Sequence, residues 1–360
     1  MTKVLYVDHP EADYGSGFLY NGLCRVLGPE NVHDYPIKWS LHGRDHRYST
    51  RDIADGFTSP YPWMPSYPVS WTDEEQADPT RLLEEVRRRL VEGYYPLVVM
   101  GSMRSAAMDA GLSLLPYVRR GGAKLVVHEG EDFQEYCGRH LSELKPDLHL
   151  KREVSKRRAF SCDWPVLPFP FSFPDTPRTE ALLAPGSDAS EERGALDVVF
   201  MAGGTWGFRF DVLRGLSGMA AAEGLRTRLG TDRREKFAGD PNVGDLAGWW
   251  EYLGLLARSR CGVSVRGYGY DTCRFWETAY STLVVTDRLD LVVPEGYTDG
   301  VDCVEFDSVD TLQQKLRDIL SPGRREDYLA MNAACGARTR RHHTNSARAR
   351  QMLERVGVPY

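Results

Sequence analysis

The chain has 360 residues, 42% hydrophobic and 27% charged, which excludes disorder, collagen and long coiled coil. At roughly 100–200 residues per domain, that length predicts two domains with separate cores. A net charge of −6 argues against a chain built mainly to grip nucleic acid or an anionic membrane.

No run of about 18 apolar residues predicts a membrane span. The opening MTKVLYVDHP lacks the apolar stretch of a secretory signal. Seven scattered cysteines without a CxxC pair read as reduced thiols, so the expected compartment is the cytoplasm.

Val4-Leu-Tyr-Val7 is an apolar run followed by Asp8 and a Gly15-Ser-Gly17 turn. Phe18, Leu19, Leu23, Val26 and Leu27 then recur at helical spacing. Strand, glycine loop and helix open a parallel α/β domain. Residues 38–78, rich in Trp, Tyr, Pro and His, show no period and read as a long functional loop. Leu82, Leu83, Val86, Leu90 and Val91 mark a charged helix, and Pro96–Met100, ending in Gly101, a buried parallel strand. A helix over Leu112–Val118 precedes the strand Lys124–His128, which runs into Glu129-Gly-Glu-Asp132. Pro146–Lys151 is a further strand candidate, and Val166–Phe173 an extended segment.

Residues 175–194, rich in Pro, Ser and acid, predict a linker between a domain at 1–174 and one at 195–360. Beyond it the grammar restarts. Asp197–Met201 is a strand, Ala202-Gly-Gly-Thr205 a turn, and Phe210–Leu216 begins a helix. Trp249–Leu256 is an apolar helix, Cys261–Val265 a strand, and Leu283–Thr286 another. The fold class is α/β, with two Rossmann-like domains facing a cleft.

Two segments carry the chemistry. Gly203 and Gly204, after a strand and before a helix holding Arg209, let backbone approach an anionic group such as a diphosphate. Their spacing fits neither GxGxxG nor a Walker A loop. The second segment is VSVRGYGYDTCRFWETA, residues 263–279. A strand ends at Arg266, Gly267 and Gly269 flank a loop, and Asp271 or Thr272 caps the next helix. Arg274 and Glu277 share one helix face, which suits a phosphate contact and a ribose contact one turn apart. The plainer alternative is a local Arg–Glu pair contributing about 0.3–0.5 kcal/mol.

The C-terminal half resembles the donor domain of GT-B glycosyltransferases, in particular the family related to spore maturation proteins. The matching stretches are Asp197-Val-Val-Phe with its glycine turn, Tyr252–Arg260, Gly267–Glu277, Thr282–Thr286 and His343–Arg348. The resemblance implies a donor site at Gly203, Gly204, Arg266, Gly267, Arg274 and Glu277, with Glu277 on the ribose of a nucleoside diphosphate sugar. It also implies a final helix that crosses back to the first domain. One departure stands out: Gly269 occupies the place of the first glutamate in the E-x7-E pair of many retaining members. No Asp-x-Asp metal motif stands out, and no cofactor or metal is expected.

In the N-terminal half, Asp8, Asp13, Gly15, Gly17 and Glu129 follow strand ends and are acceptor-side candidates. His128 and Asp132 are candidates for the base that takes the acceptor proton in an inverting transfer. The alternative is that HEGED forms a capped, solvated loop. His42-Gly-Arg-Asp-His46 lacks a nearby third ligand for zinc, and Lys151, Arg152, Lys156, Arg157 and Arg158 read as a solvated basic face. The expected activity is sugar transfer to an unknown acceptor. A nucleotide-sugar epimerase of the same fold and a non-catalytic sugar-nucleotide-binding subunit are the alternatives.

Overall fold

A computed structural model describes residues 2–42, 64–135, 138–157, 162–184, 187, 192–203 and 207–360. The chain divides into two units, residues 1–176 with 344–360 and residues 177–343.

Unit 1 holds a six-stranded parallel sheet of β1 (Val4–Val7), β2 (Val32–Tyr35), β3 (Leu97–Met100), β4 (Lys124–Glu129), β5 (Leu148–Lys151) and β6 (Val166–Pro168). Their order is β2-β1-β3-β4-β5-β6. β1 and β3 are buried along their whole length, as continuous apolar runs under helices should be. The main covering helices are α1 (Tyr14–Leu27), the short α2 (Asp73–Ala77), α3 (Pro79–Val91), α4 (Ser105–Gly121) and α5 (Gly138–Leu144).

Unit 2 begins with α6 (Pro177–Leu182) and repeats the architecture with β7 (Leu196–Ala202), β8 (Thr227–Thr231), β9 (Val243–Asp245), β10 (Ser259–Ser264), β11 (Leu283–Asp287) and β12 (Val304–Phe306). All pair in parallel, in the order β12-β11-β10-β7-β8-β9. Its helices are α7 (Phe208–Glu223), α8 (Trp249–Arg258), α9 (Cys273–Ser281), α10 (Val309–Leu320) and α11 (Arg325–His342).

The final helix, α12 (Asn345–Val356), belongs to unit 1. Asn345 N donates to the Phe173 carbonyl at 2.9 Å, and Asn345 Nδ2 to Asn21 Oδ1 on α1 at 2.9 Å. α12 lies against α1 so closely that a Cβ on Gly22 would stand 2.2 Å from the Asn345 carbonyl oxygen.

Three expectations need correction. The segment 175–194 is not a plain linker, because it contains α6 with buried Thr179, and Leu183 beyond it is also buried. Gly15 and Gly17 do not form a turn: the Asp13 carboxylate accepts from Ser16 N and starts α1 at Tyr14, so both glycines lie inside the helix. Lys151 and Arg152 are buried and not a solvated face, because acidic partners meet them as described below.

Candidate functional site

In unit 2 the strand order reverses between β7 and β10, and the two loops leaving their carboxyl ends are the chemistry-bearing segments. Such a switch point is where open α/β sheets bind ligands. Arg209, from the first turn of α7, ties these loops together. Its Nε donates to the Arg266 carbonyl at 2.9 Å, its Nη2 to the Val265 carbonyl at 3.0 Å, and its Nη1 to the Gly203 carbonyl. Burial and the nearby positive charge of Arg274 pull the Arg209 pKa down.

Arg274 sits beside the glycine turn: a Cβ on Gly203 would stand 3.3 Å from its Nη2. Its buried Nε makes no hydrogen bond among the described residues, and its guanidinium lies over the Tyr252 ring at 5.8 Å. Two guanidinium groups therefore share one end of the sheet, with no ion pair to either among the described residues, an arrangement that favours an anion.

Glu277 lies one turn deeper on α9 and is buried. It makes no ion pair with Arg274; its Oε1 accepts from the Trp249 indole Nε1 at 2.7 Å. Burial raises its pKa, against the opposing pull of Arg274 and the Trp249 hydrogen bond. The helix-pair alternative thus gives way to a carboxylate held by an indole from α8.

Arg266 closes the loop from the other side. Its Nε is 3.2 Å from Asp287 Oδ2, and its backbone N–H donates to Asp287 Oδ1 at 3.0 Å. Gly267 N donates to the Gly269 carbonyl at 3.0 Å, and a Cβ on Gly267 would meet Arg209 Nη2 at 3.0 Å. Thr272 occupies the N-cap of α9 but its side chain does not bond the helix, and Asp271 accepts from Trp276 Nε1 at 2.8 Å instead. The expected cap is corrected accordingly: Asp271 anchors an indole. Gly204 lies outside the described residues.

In unit 1 the reversal falls between β1 and β3. Asp8, after β1, is buried and accepts from Lys38 Nζ at 2.7 Å, from the Ser16 hydroxyl and from His9 N at 2.8 Å. Asp13 is held well below the usual carboxylate range: burial pushes it up, but His9, the Ser16 N–H, His128 and Lys38 outweigh that. His128 Nδ1 lies 3.0 Å from the Gly101 carbonyl, which can only accept, so Nδ1 carries the proton. Nε2 is then the basic nitrogen of a neutral ring. Burial lowers the His128 pKa, against the raising pull of Gly101 and Asp13. A Cβ on Gly15 would come within 2.8 Å of His128 Cε1, so that glycine admits the imidazole to the start of α1.

Asp132 does not join His128. It is half-exposed and paired with Arg152, whose guanidinium also stacks on Phe171 at 4.4 Å. Glu129 is engaged within unit 1: Lys151 Nζ donates to its Oε1 at 2.7 Å, and His149 Nε2 stands 3.0 Å from its Oε2. The same Lys151 ammonium donates to the carbonyls of Phe133 and Glu135, so Glu129 anchors the 130–135 loop. His42 lies 3.1 Å from Asp34 and 3.0 Å from the Tyr67 carbonyl, while 43–46 fall outside the described residues. Trp249, Asp287 and Lys38 were missed in the sequence: each meets its partner across 21 to 30 residues of chain, with no local motif to mark it.

Residues 216–354 match the family model described as glycosyl transferase-like. No curated protein matches the sequence. Among solved structures the chain is similar to Anabaena Alr3699/HepE in complex with UDP, at 10% identity over 99% of this chain and 100% of that one, TM-score 0.58. It is similar to an alpha-glucosyltransferase in complex with UDP-glucose and DNA containing an abasic site, at 12% identity over 99% of both chains, TM-score 0.57. A third is sucrose-phosphate synthase from Thermosynechococcus elongatus, at 13% identity over 98% of both chains, TM-score 0.51. The fold is that of the GT-B glycosyltransferases, as the sequence resemblance implied, and the family match spans Arg266, Arg274 and Glu277.

Proposed function

We propose that this chain is a glycosyltransferase that binds a nucleoside diphosphate sugar on unit 2 and receives its acceptor on unit 1. One observation carries the reading: at the β7/β10 switch point, Arg274 keeps an unpartnered Nε beside Gly203, one helical turn from the buried carboxylate of Glu277. The diphosphate lies against the Gly203 and Gly267 loops, where Arg274 and Arg266 offset its charge. Arg209 acts through position, because its donors are spent on the two loops. The Glu277 carboxylate accepts from the ribose hydroxyls.

Transfer breaks the bond between the anomeric carbon and the diphosphate and forms one to the acceptor oxygen. The arginines stabilise the charge that develops on the leaving diphosphate. His128 Nε2 takes the acceptor proton. Its pKa shift favours that role by keeping the ring neutral at pH 7. With arginines supplying the positive charge, transfer is expected to continue in excess EDTA.

UDP is the first nucleotide to test, since the Anabaena protein and the alpha-glucosyltransferase were solved with UDP and UDP-glucose respectively. Among the described residues no helix is long and apolar enough to cross a membrane. Cys24, Cys261, Cys303 and Cys335 are buried free thiols, which suits work in the reducing cytoplasm.

The test is calorimetric titration of UDP and its 2′,3′-dideoxy analogue into wild type and Glu277→Gln. Wild type prefers the full ribose, and the variant loses most of that preference, weakening UDP roughly ten- to a hundredfold. Equal binding of both ligands by both proteins would overturn the donor-site assignment.

A further inference from the structure

Unit 2 has a second concave, basic feature at the opposite edge of its sheet. A cavity of about 790 Å³ is lined by Arg193, Arg226, Arg260, Arg325 and Tyr328, with apolar wall from the 320–329 turn and no acidic residue among the described residues that line it. Arg260 lies near the start of β10 and Arg266 just past its end, so at about 3.3 Å per residue the cavity is about 20 Å from the glycine loops. It cannot be an extension of the donor site.

The four guanidinium groups are not equally committed. Arg226 is neutralised by Asp197, which its Nη2 and Nε contact at 3.0 and 3.2 Å. Arg260 gives Nη1 and Nη2 to the Leu320 and Ile319 carbonyls at the end of α10, at 3.0 and 3.3 Å, and lies over the Tyr328 ring. Arg193 makes one bond, to the Ser281 carbonyl at 3.2 Å. Neither Arg193 nor Arg325 has a carboxylate partner among the described residues, and both side chains are exposed. Tyr328, only 4% exposed, forms part of the cavity wall with its ring beneath the Arg260 guanidinium. α11 starts at Arg325 without a side-chain cap.

We propose that this cavity is a binding site for a phosphorylated small molecule, distinct from the nucleotide-sugar site. Guanidinium forks match phosphate oxygens, and the apolar wall accommodates a carbon skeleton. The volume is within the range of small-molecule pockets, about 300–1,000 Å³.

The test is calorimetric titration of inorganic pyrophosphate into wild type, Arg193→Gln/Arg325→Gln, Tyr328→Phe and Arg274→Gln. Binding should persist in Arg274→Gln and weaken roughly tenfold to a hundredfold in the double variant. Tyr328→Phe, which changes only a hydroxyl closed to solvent, should bind as wild type does, and the exposed arginine changes should leave the unfolding midpoint in place. The proposal is overturned if wild type does not bind at millimolar pyrophosphate, or if the double variant binds as wild type does. It is equally overturned if Arg274→Gln alone abolishes binding, which would assign the anion to the glycine loops.

Discussion

The indole of Trp249 donates to the carboxylate of Glu277 at 2.7 Å, so the first residue of α8 orients a buried acid on α9. A hydrogen bond to a charged group contributes about 1.5–3 kcal/mol, and burial makes the carboxylate depend on it. Trp249→Phe keeps the ring and deletes the donor. The Glu277 pKa, already raised by burial, should rise further. UDP affinity should fall about tenfold at pH 7, and the decline of affinity on acidification should begin at higher pH than in wild type. Titrations across pH 5–8 check this; an unchanged pH profile would separate Trp249 from the site.

Asp287 gives a stability prediction with a definite sign. Burial raises its pKa from 3.8 to about 6, against the opposing Arg266 contacts. Between those values the folded protein binds the proton more tightly than the unfolded chain, so this group's contribution to stability falls as pH rises from 4 to 6 and stays low above that. Two pKa units correspond to about 3 kcal/mol. Asp287→Asn should remove that pH dependence while still accepting from Arg266 N. Urea unfolding at pH 4, 5, 6 and 7 measures the difference in slope.

His128 titrates in the opposite sense. Its pKa lies below the usual 6.5 because burial disfavours the imidazolium. Below pH 6.5 the unfolded chain takes up a proton that the folded ring refuses, so stability from this residue falls as pH drops toward the lowered pKa. His128→Gln should abolish that dependence. Under the proposed role it should also slow transfer by roughly 10²–10⁴-fold while leaving UDP affinity as in wild type. Transfer at the wild-type rate would remove His128 from the mechanism.

Gly22→Ala tests how α12 is held. The added Cβ would lie 2.2 Å from a backbone carbonyl, which cannot rotate away, so α1 and α12 must separate. Overpacking of this kind costs about 1–3 kcal/mol. The expected outcome is a lower unfolding midpoint and faster amide exchange along residues 345–356. An unaltered midpoint would mean that α12 adds little to unit 1.

The strands that were legible are short, largely apolar runs followed by glycine or a polar loop, a pattern set within six or seven residues; β2, β8 and β9 carry polar residues and were not read. Val4–Val7, Leu97–Met100 and Leu196–Ala202 needed no distant partner to be read. The segment Gly267 to Glu277 was legible for the same reason, since it forms one local loop and helix. Charged side chains were not legible in this way, because a charge is neutralised by whatever the sheet brings alongside it. Lys151 could be buried only because β4 and β5 pair in a register that sets Glu129 opposite it. Asp132 lost its free carboxylate to Arg152, 20 residues on, and Arg209 found its acceptors 56 and 57 residues away. Sequence alone determined the apolar strands, the amphipathic helices and the glycine loops between them, through local periodicity and backbone permissiveness. Which ionisable groups remain available to a ligand was decided only when distant strands aligned, because burial makes every charge take the nearest partner that tertiary packing supplies.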